Sequence, residues 1–243
     1  MAVFYGYKKL ERAEDWKGLA GEDKWVPTRS AYELAFAWHG VGGVPAPIAE
    51  ALASSGDPRL QGLVLRIGLV EKPVFLDTMV GPSMTDLMGY ARNRSNDTVV
   101  FAVEGKAEEE FGLPVSSWLR GDVATPAPDA QPRRSRVRRL SFLCGHLGLV
   151  EEATYQLRYQ LLHRTVSGIL EAQLTGAPAA VVLVHAFGPS GEENWDAFVE
   201  FLSALKVSQA EKARPLGPVQ LGKEPRVSTF FLWWPDSVRT GAF

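Results

Sequence analysis

Thr98-Val99-Val100-Phe101-Ala102-Val103 is an unbroken run of apolar and β-branched residues with no alternation of polar and apolar positions. A strand of that kind must be covered on both faces, so it belongs at the centre of a sheet with helices on either side. Ala179 to Phe187 has the same character and predicts a second buried strand. Between them, Leu157, Leu161, Leu162, Val166, Ile169 and Leu170 recur at helical spacing and predict a helix over 154–174. A chain with these segments folds as an α/β sandwich around a mixed sheet.

The remaining elements fit that frame. Ser30-Ala31-Tyr32-Glu33 has the form of a capping box opening a helix, with Leu34, Ala35 and Trp38 on its apolar face. Gly40 to Pro45 stops it, and a short helix follows over 47–54. Residues 63–70 and 74–80 read as two strands joined by a hairpin turn at Glu71-Lys72-Pro73. Asp86 to Ala91 reads as extended. The segment 121–135, with Pro126, Pro128 and Pro132, reads as a loop. Helices are expected over 134–147 and 195–205, and a hairpin from 219–221 and 228–234. The order is helix, three or four strands, helices, strand, helix, strands, which is not a regular alternation. Residues 1–27 carry no firm pattern.

At 243 residues, 46% hydrophobic and 22% charged, the chain suits one domain with its own core over 1–243. A single cysteine, Cys144, excludes an intramolecular disulfide and points to a reducing, cytoplasmic compartment. No apolar run is long enough for a membrane span, and the first residues do not have the form of a signal peptide. Neither a membrane nor a secretory role is therefore expected. The net charge of −2 gives no general attraction to nucleic acid. Arg133, Arg134, Arg136, Arg138 and Arg139 form a local basic run, however, and are the expected phosphate-contacting residues if nucleic acid binds.

Of three Asp/Glu-x-Lys tripeptides, only Glu104-Gly105-Lys106 ends a buried strand. Alternation puts Glu104 and Lys106 on the same face, so a carboxylate and an ammonium emerge together at the rim of the sheet. Asp86 lies 18 residues before Glu104, at the start of the preceding extended segment, and strand adjacency can set the two side by side. Two carboxylates and a lysine suit phosphodiester hydrolysis: hard oxygen ligands for Mg²⁺ or Mn²⁺ and a cation for the charge that develops at phosphorus. The alternative reading of the same residues is a surface cluster of ion pairs.

Gly81 to Asp86 followed by Val103-Glu104-Gly105-Lys106 resembles the PD-(D/E)XK superfamily of restriction-endonuclease-like nucleases, over about residues 30–190. Residues 191–243 would then be a C-terminal helix and hairpin extension. The chain is also similar to an uncharacterised bacterial family in 81–86, 103–112 and 157–164. The superfamily resemblance implies a restriction-endonuclease-like sheet, metal ligation by Asp86, Glu104 and the Gly105 carbonyl, and Lys106 as the catalytic lysine. It implies further that Glu33 on the first core helix joins the metal site and that Gln160 on the later helix points at it. Thr85 stands where the motif has proline. Glu108-Glu109-Glu110 would repel a phosphate backbone if it faced the cleft.

Gln156, Gln160, His163 and Ser167 form the polar stripe of the long helix. His39, His146 and His185 lack metal-ligand spacing and read as structural, Cys144 as inert, and Trp233 and Trp234 as packing or an oligomer contact. The expectation is a metal-dependent nuclease with nucleic acid, DNA first, as its partner, and with a homodimer allowed. The alternatives are a nuclease-fold binding or assembly module without catalysis, and an enzyme of small phosphorylated molecules.

Overall fold

The computed structural model describes residues 1–78, 81–121, 133–189 and 192–239. Along the chain come β1 (Val3–Tyr5), β2 (Lys9–Leu10), α1 (Lys17–Ala20), α2 (Ser30–Trp38), α3 (Ala46–Ser54), β3 (Val64–Val74), β4 (Ser83–Arg92) and β5 (Thr98–Lys106). There follow α4 (Val115–Arg120), α5 (Arg134–Leu147), α6 (Tyr159–Thr175), β6 (Ala179–Phe187), α7 (Glu192–Ala204), β7 (Leu216–Leu221) and β8 (Val227–Asp236). The eight strands form one mixed sheet in the order β2-β1-β3-β4-β5-β6-β8-β7. β3, β4 and β5 are an antiparallel meander, whereas β5, β6 and β8 run parallel. No helix of the described residues is long and apolar enough to cross a membrane.

The apolar runs over 98–103 and 179–187 are the neighbouring central strands β5 and β6, buried along almost their whole length. Each sheet face carries a core. On one side Leu34, Trp38, Ile48 and Leu52 of α2 and α3 pack on Phe101, Val103 and Val181. On the other, Leu140, Leu143, Leu162, Val166 and Phe198 of α5, α6 and α7 pack on Val100, Ala102 and Val182.

Several sequence-based boundaries change. The hairpin expected at Glu71-Lys72-Pro73 does not exist. Lys72 and Pro73 pair with Thr85 and Met84 inside one long strand, and Glu71 takes up the local kink with φ 49°. Pro73 is tolerated because β1 reaches only Ile67 to Leu69, leaving the outer edge of β3 unpaired there. Of the second strand expected over 74–80, only Val74 is in β3; residues 75–78 are not strand, and 79–80 lie outside the described residues. α6 begins at Tyr159, not at Thr154, because 151–154 forms a separate short 3-10 turn and the chain after it is held to 114–116 by backbone bonds: Val115 N donates to Leu157 O at 2.9 Å and Ser116 N to Tyr155 O at 3.0 Å. Gln156 is therefore not on the helix. Most of the loop expected over 121–135 lies outside the described residues. β1, β2, α1 and α4 went unread in the sequence.

The capping box at Ser30 is not formed. Glu33 is buried, and its carboxylate accepts from Thr28 N and Arg239 N, each at 3.1 Å. The acceptor at the start of α2 comes instead from a residue 79 positions away: Ser30 N and Oγ both donate to Glu109 Oε1, at 3.2 and 3.0 Å. Ala107 N donates to Glu109 Oε2 at 3.0 Å, which ties the exit of β5 to α2. Gly105 makes this approach possible, since a Cβ there would stand 3.2 Å from the Ser30 Cβ. Glu109→Ala should lower stability by about 1–2 kcal/mol in urea denaturation, the range for losing a helix-capping acceptor; an unchanged midpoint would mean that Glu109 does not hold α2.

Candidate functional site

The β4–β5 ladder ends at the pair Leu87 and Val103, and the two strands separate beyond it. Gly105 N has no backbone partner on β4, and the side chain of Asp86 on that strand accepts its hydrogen bond through Oδ2 at 2.9 Å. The opening forms a cleft of about 300 Å³ lined by Asp86, Glu104, Lys106, Gln160 and Arg164, with Trp16, Ala20 and Lys24 closing it from the N-terminal segment. Glu104 and Lys106 share the α6 side of β5, as alternation requires, and are only 3% and 4% exposed.

Glu104 is the hub. Its Oε1 accepts from Lys106 Nζ at 2.8 Å and from Gln160 Nε2 at 2.5 Å. Its Oε2 accepts from Arg164 Nε at 2.7 Å and also from Arg164 Nη2. The same Nη2 lies 3.2 Å from Asp86 Oδ1, and Arg164 Nη1 donates to Met84 O at 2.6 Å. The two carboxylates therefore meet at one positively charged nitrogen. Burial opposes ionisation of Glu104, but Arg164 and Lys106 outweigh it and hold its carboxyl well below the usual range. Asp86 goes the other way: burial and the charge of Glu104 push it up to about 7, against the opposing pull of Arg164.

Asp86, Glu104, Lys106 and Gln160 thus come together as the sequence suggested. Glu33 does not: its carboxylate is committed to the backbone of 28 and 239, outside the cleft lining. The arginine run divides. Arg133, Arg134 and Arg138 are exposed. Arg136 and Arg139 are buried, and Arg139 pairs with Asp77 and donates to Gly81 O at 3.1 Å. Those two are turned inward: the segment leading into β4 takes up Arg139, while Arg136 donates to Trp118 O in α4 and lies over the Trp118 ring. Glu109 of the acidic run bonds to the start of α2 and also lines the cleft, so the acidic run does reach the site. Gln160 Oε1 accepts from Gly112 N at 3.3 Å, so this side chain links Glu104 to the chain beyond β5.

Two cleft residues were missed. The register Val70–Leu87 and Lys72–Thr85 sets Glu71 opposite Asp86, and Glu71 lines the cleft with its carboxyl raised by burial. Like charges facing each other across a ladder are unfavourable, a signal that the strand pattern could have carried had 71–73 not looked like a turn. Arg164 stands four residues after Gln160, one helical turn on, so the helical period alone places both on the same face.

Of the histidines read as structural, two accept from buried tryptophans: Trp16 Nε1 donates to His39 Nδ1 at 3.0 Å and Trp38 Nε1 to His185 Nδ1 at 3.2 Å, whereas His146 is buried with no hydrogen-bond partner at Nδ1. Cys144 is buried and its thiol is pushed up to about 11 by burial, which agrees with an inert thiol. Trp233 is a packing residue, 2% exposed against Phe198 and Trp195.

The molecule is an α/β protein with a partly buried, charge-paired cleft at one end of its central sheet. Residues 9–237 match the model of a family described as Domain of unknown function (DUF6946), and the chain belongs to that family. No curated protein matches the chain. No solved structure matches it either.

His163, next to Arg164, shares a short bond with Ser83 Oγ at 2.7 Å, and burial with the nearby Arg164 charge pushes its pKa down to about 3. The unfolded imidazole titrates near 6.5, so the unfolded chain takes up a proton first, and this contribution to stability is lost as pH falls below about 6.5. In His163→Asn the loss of stability between pH 7 and pH 5 should shrink by about 2 kcal/mol, measured by urea denaturation. Equal losses in both proteins would mean that the folded imidazole is protonated at pH 5.

Proposed function

We propose that the chain is a divalent-metal-dependent, nuclease-like hydrolase of phosphodiester bonds, built on a restriction-endonuclease-like core of the PD-(D/E)XK type. The observation that carries this reading is the convergence of Asp86 and Glu104 on a single cationic atom, with Lys106 and Gln160 on the same carboxylate. The order α2, then antiparallel β3-β4-β5, supports it, since the resemblance to the superfamily implies a helix holding Glu33 and strands in that order before Asp86 and Glu104.

Among the described residues no group of three or more His, Cys, Asp or Glu is arranged to hold a metal. Two carboxylates still fit Mg²⁺, which is commonly held by one or two carboxylates together with waters and substrate phosphate. Asp86 and Glu104 are the residues that would hold it, and when bound it supplies a nucleophilic water and charge neutralisation at phosphorus. Lys106, held against Glu104, presents an ammonium to the cleft, where it can stabilise negative charge developing on a phosphoryl oxygen. Trp16, Ala20 and Lys24 narrow the approach, which favours a substrate strand or end over the broad face of a duplex.

A second reading, a nuclease-fold binding or assembly module without catalysis, is favoured by one fact: both Glu104 oxygens already accept two hydrogen bonds each. The two readings separate in an assay of linear, circular and single-stranded DNA and of RNA with Mg²⁺ or Mn²⁺. Hydrolysis by the wild-type chain should fall on the order of 100- to 1000-fold in Lys106→Ala, with the fold retained. Glu104→Gln should lose metal binding and activity together. A wild-type chain that cuts nothing puts the binding module first, and an undiminished Lys106→Ala removes the assigned role of the lysine.

A further inference from the structure

Arg164 occupies the place that the two carboxylates define. Its side chain is 3% exposed, and three of its nitrogens are committed: Nε and Nη2 to Glu104, Nη2 also to Asp86 and Nη1 to Met84 O. A guanidinium has five N–H donors, and four are used in these contacts. The positive charge makes the pair of carboxylates tolerable at the end of the sheet with no ion present. It also stands in the way of one. A divalent ion sits about 2.0–2.1 Å from its oxygens, so it cannot share Asp86 Oδ1 and Glu104 Oε2 with a charged nitrogen already in hydrogen-bond contact with both.

We propose that Arg164 is a positioning residue whose guanidinium and a divalent ion are alternative occupants of the Asp86–Glu104 pair, with a substrate phosphate ester drawing the guanidinium away. The inference rests on the phosphodiester reading above. An arginine leaving two carboxylates needs another anion, and a phosphate in the same cleft offers the bidentate acceptor that suits it best. Lys106 and Lys24 line that cleft and attract the same anion, against the opposing carboxylates of Glu71 and Glu109 in the lining. Metal affinity is then low in the free protein and rises when substrate is present, so ion and substrate load together.

The test is Mn²⁺ binding to the full chain by titration calorimetry and by electron paramagnetic resonance, independent of any turnover. Arg164→Gln should bind Mn²⁺ on the order of tenfold more tightly than wild type, within the range by which residues around metal ligands tune affinity. Arg164→Lys, which keeps the charge but loses the fork, should fall between them. A phosphorothioate oligonucleotide should tighten Mn²⁺ binding by the wild type and leave Arg164→Gln unchanged. Because that last comparison within the wild type needs no variant, it decides the matter even if Arg164→Gln fails to fold: no tightening by the oligonucleotide overturns the proposal. Weaker or equal Mn²⁺ binding by a folded Arg164→Gln also overturns it, leaving Arg164 as a structural strut. Antagonism between Arg164 and Mn²⁺ in a chain that cleaves nothing would support this inference while defeating the hydrolase reading. A chain that binds no Mn²⁺ under any of these conditions overturns both.

Discussion

The Arg164 guanidinium, wedged between Glu104 and Asp86, is the contact on which the cleft end of the sheet depends. Its donors fix α6 against the opened ends of β4 and β5, and Met84 O anchors it at the start of β4. Charges this deeply buried are expensive to desolvate, and replacing a whole buried ion network by apolar residues is often neutral or stabilising. Removing a single member is another matter, because the partner charge is stranded at a cost of about 3–5 kcal/mol. Glu104, Lys106 and Arg164 are therefore bound to one another energetically. Their burial at the wall of a cleft, and not within either packed core, is the physical argument behind the site proposed above.

Around this hub several polar groups are mutually engaged. Ser167 Oγ lies 3.0 Å from Ser83 Oγ, which lies 2.7 Å from His163 Nδ1. Arg139 fixes the approach to β4 through Asp77 and Gly81 O. On the other side of β5, Glu109 joins the strand exit to α2. The effect is to hold the rim of the cleft from both faces of the sheet, so that the separation of β4 and β5 beyond Leu87 and Val103 is fixed by side chains where backbone pairing has stopped.

The same contacts change the meaning of the charge patterns along the chain. An acidic run that looked hostile to phosphate has its middle member bonded to the start of a helix, at the wall of the cleft. A basic run that looked like a phosphate-binding strip keeps three exposed arginines and spends the other two on internal carboxylate and carbonyl acceptors. Runs of like charge are thus poor guides to surface potential when alternate members face inward along a helix.

By itself the sequence determined the centre of the fold and the heart of the site. The apolar runs of β5 and β6 could only be central strands, because no amphipathic arrangement accommodates them. The two-residue period of β5 put Glu104 beside Lys106, and the chain order brought Asp86 to the neighbouring strand. Helix α5 and the β7–β8 hairpin were legible from local patterns, with Gly148, at φ 68°, ending the helix where a side chain would be strained. The tertiary structure alone decided the rest. Glu71 looked like part of a turn because Lys72 and Pro73 follow it, and only the pairing of those residues with Thr85 and Met84 keeps β3 running. Glu33 looked like a local cap, and the contacts of 109 with 30 and of 239 with 33 replaced that arrangement. Arg164 looked like one more polar residue on a helix. Whether a charged side chain is solvated or clamped depends on what distant segments bring to it, and that information is not local in the chain.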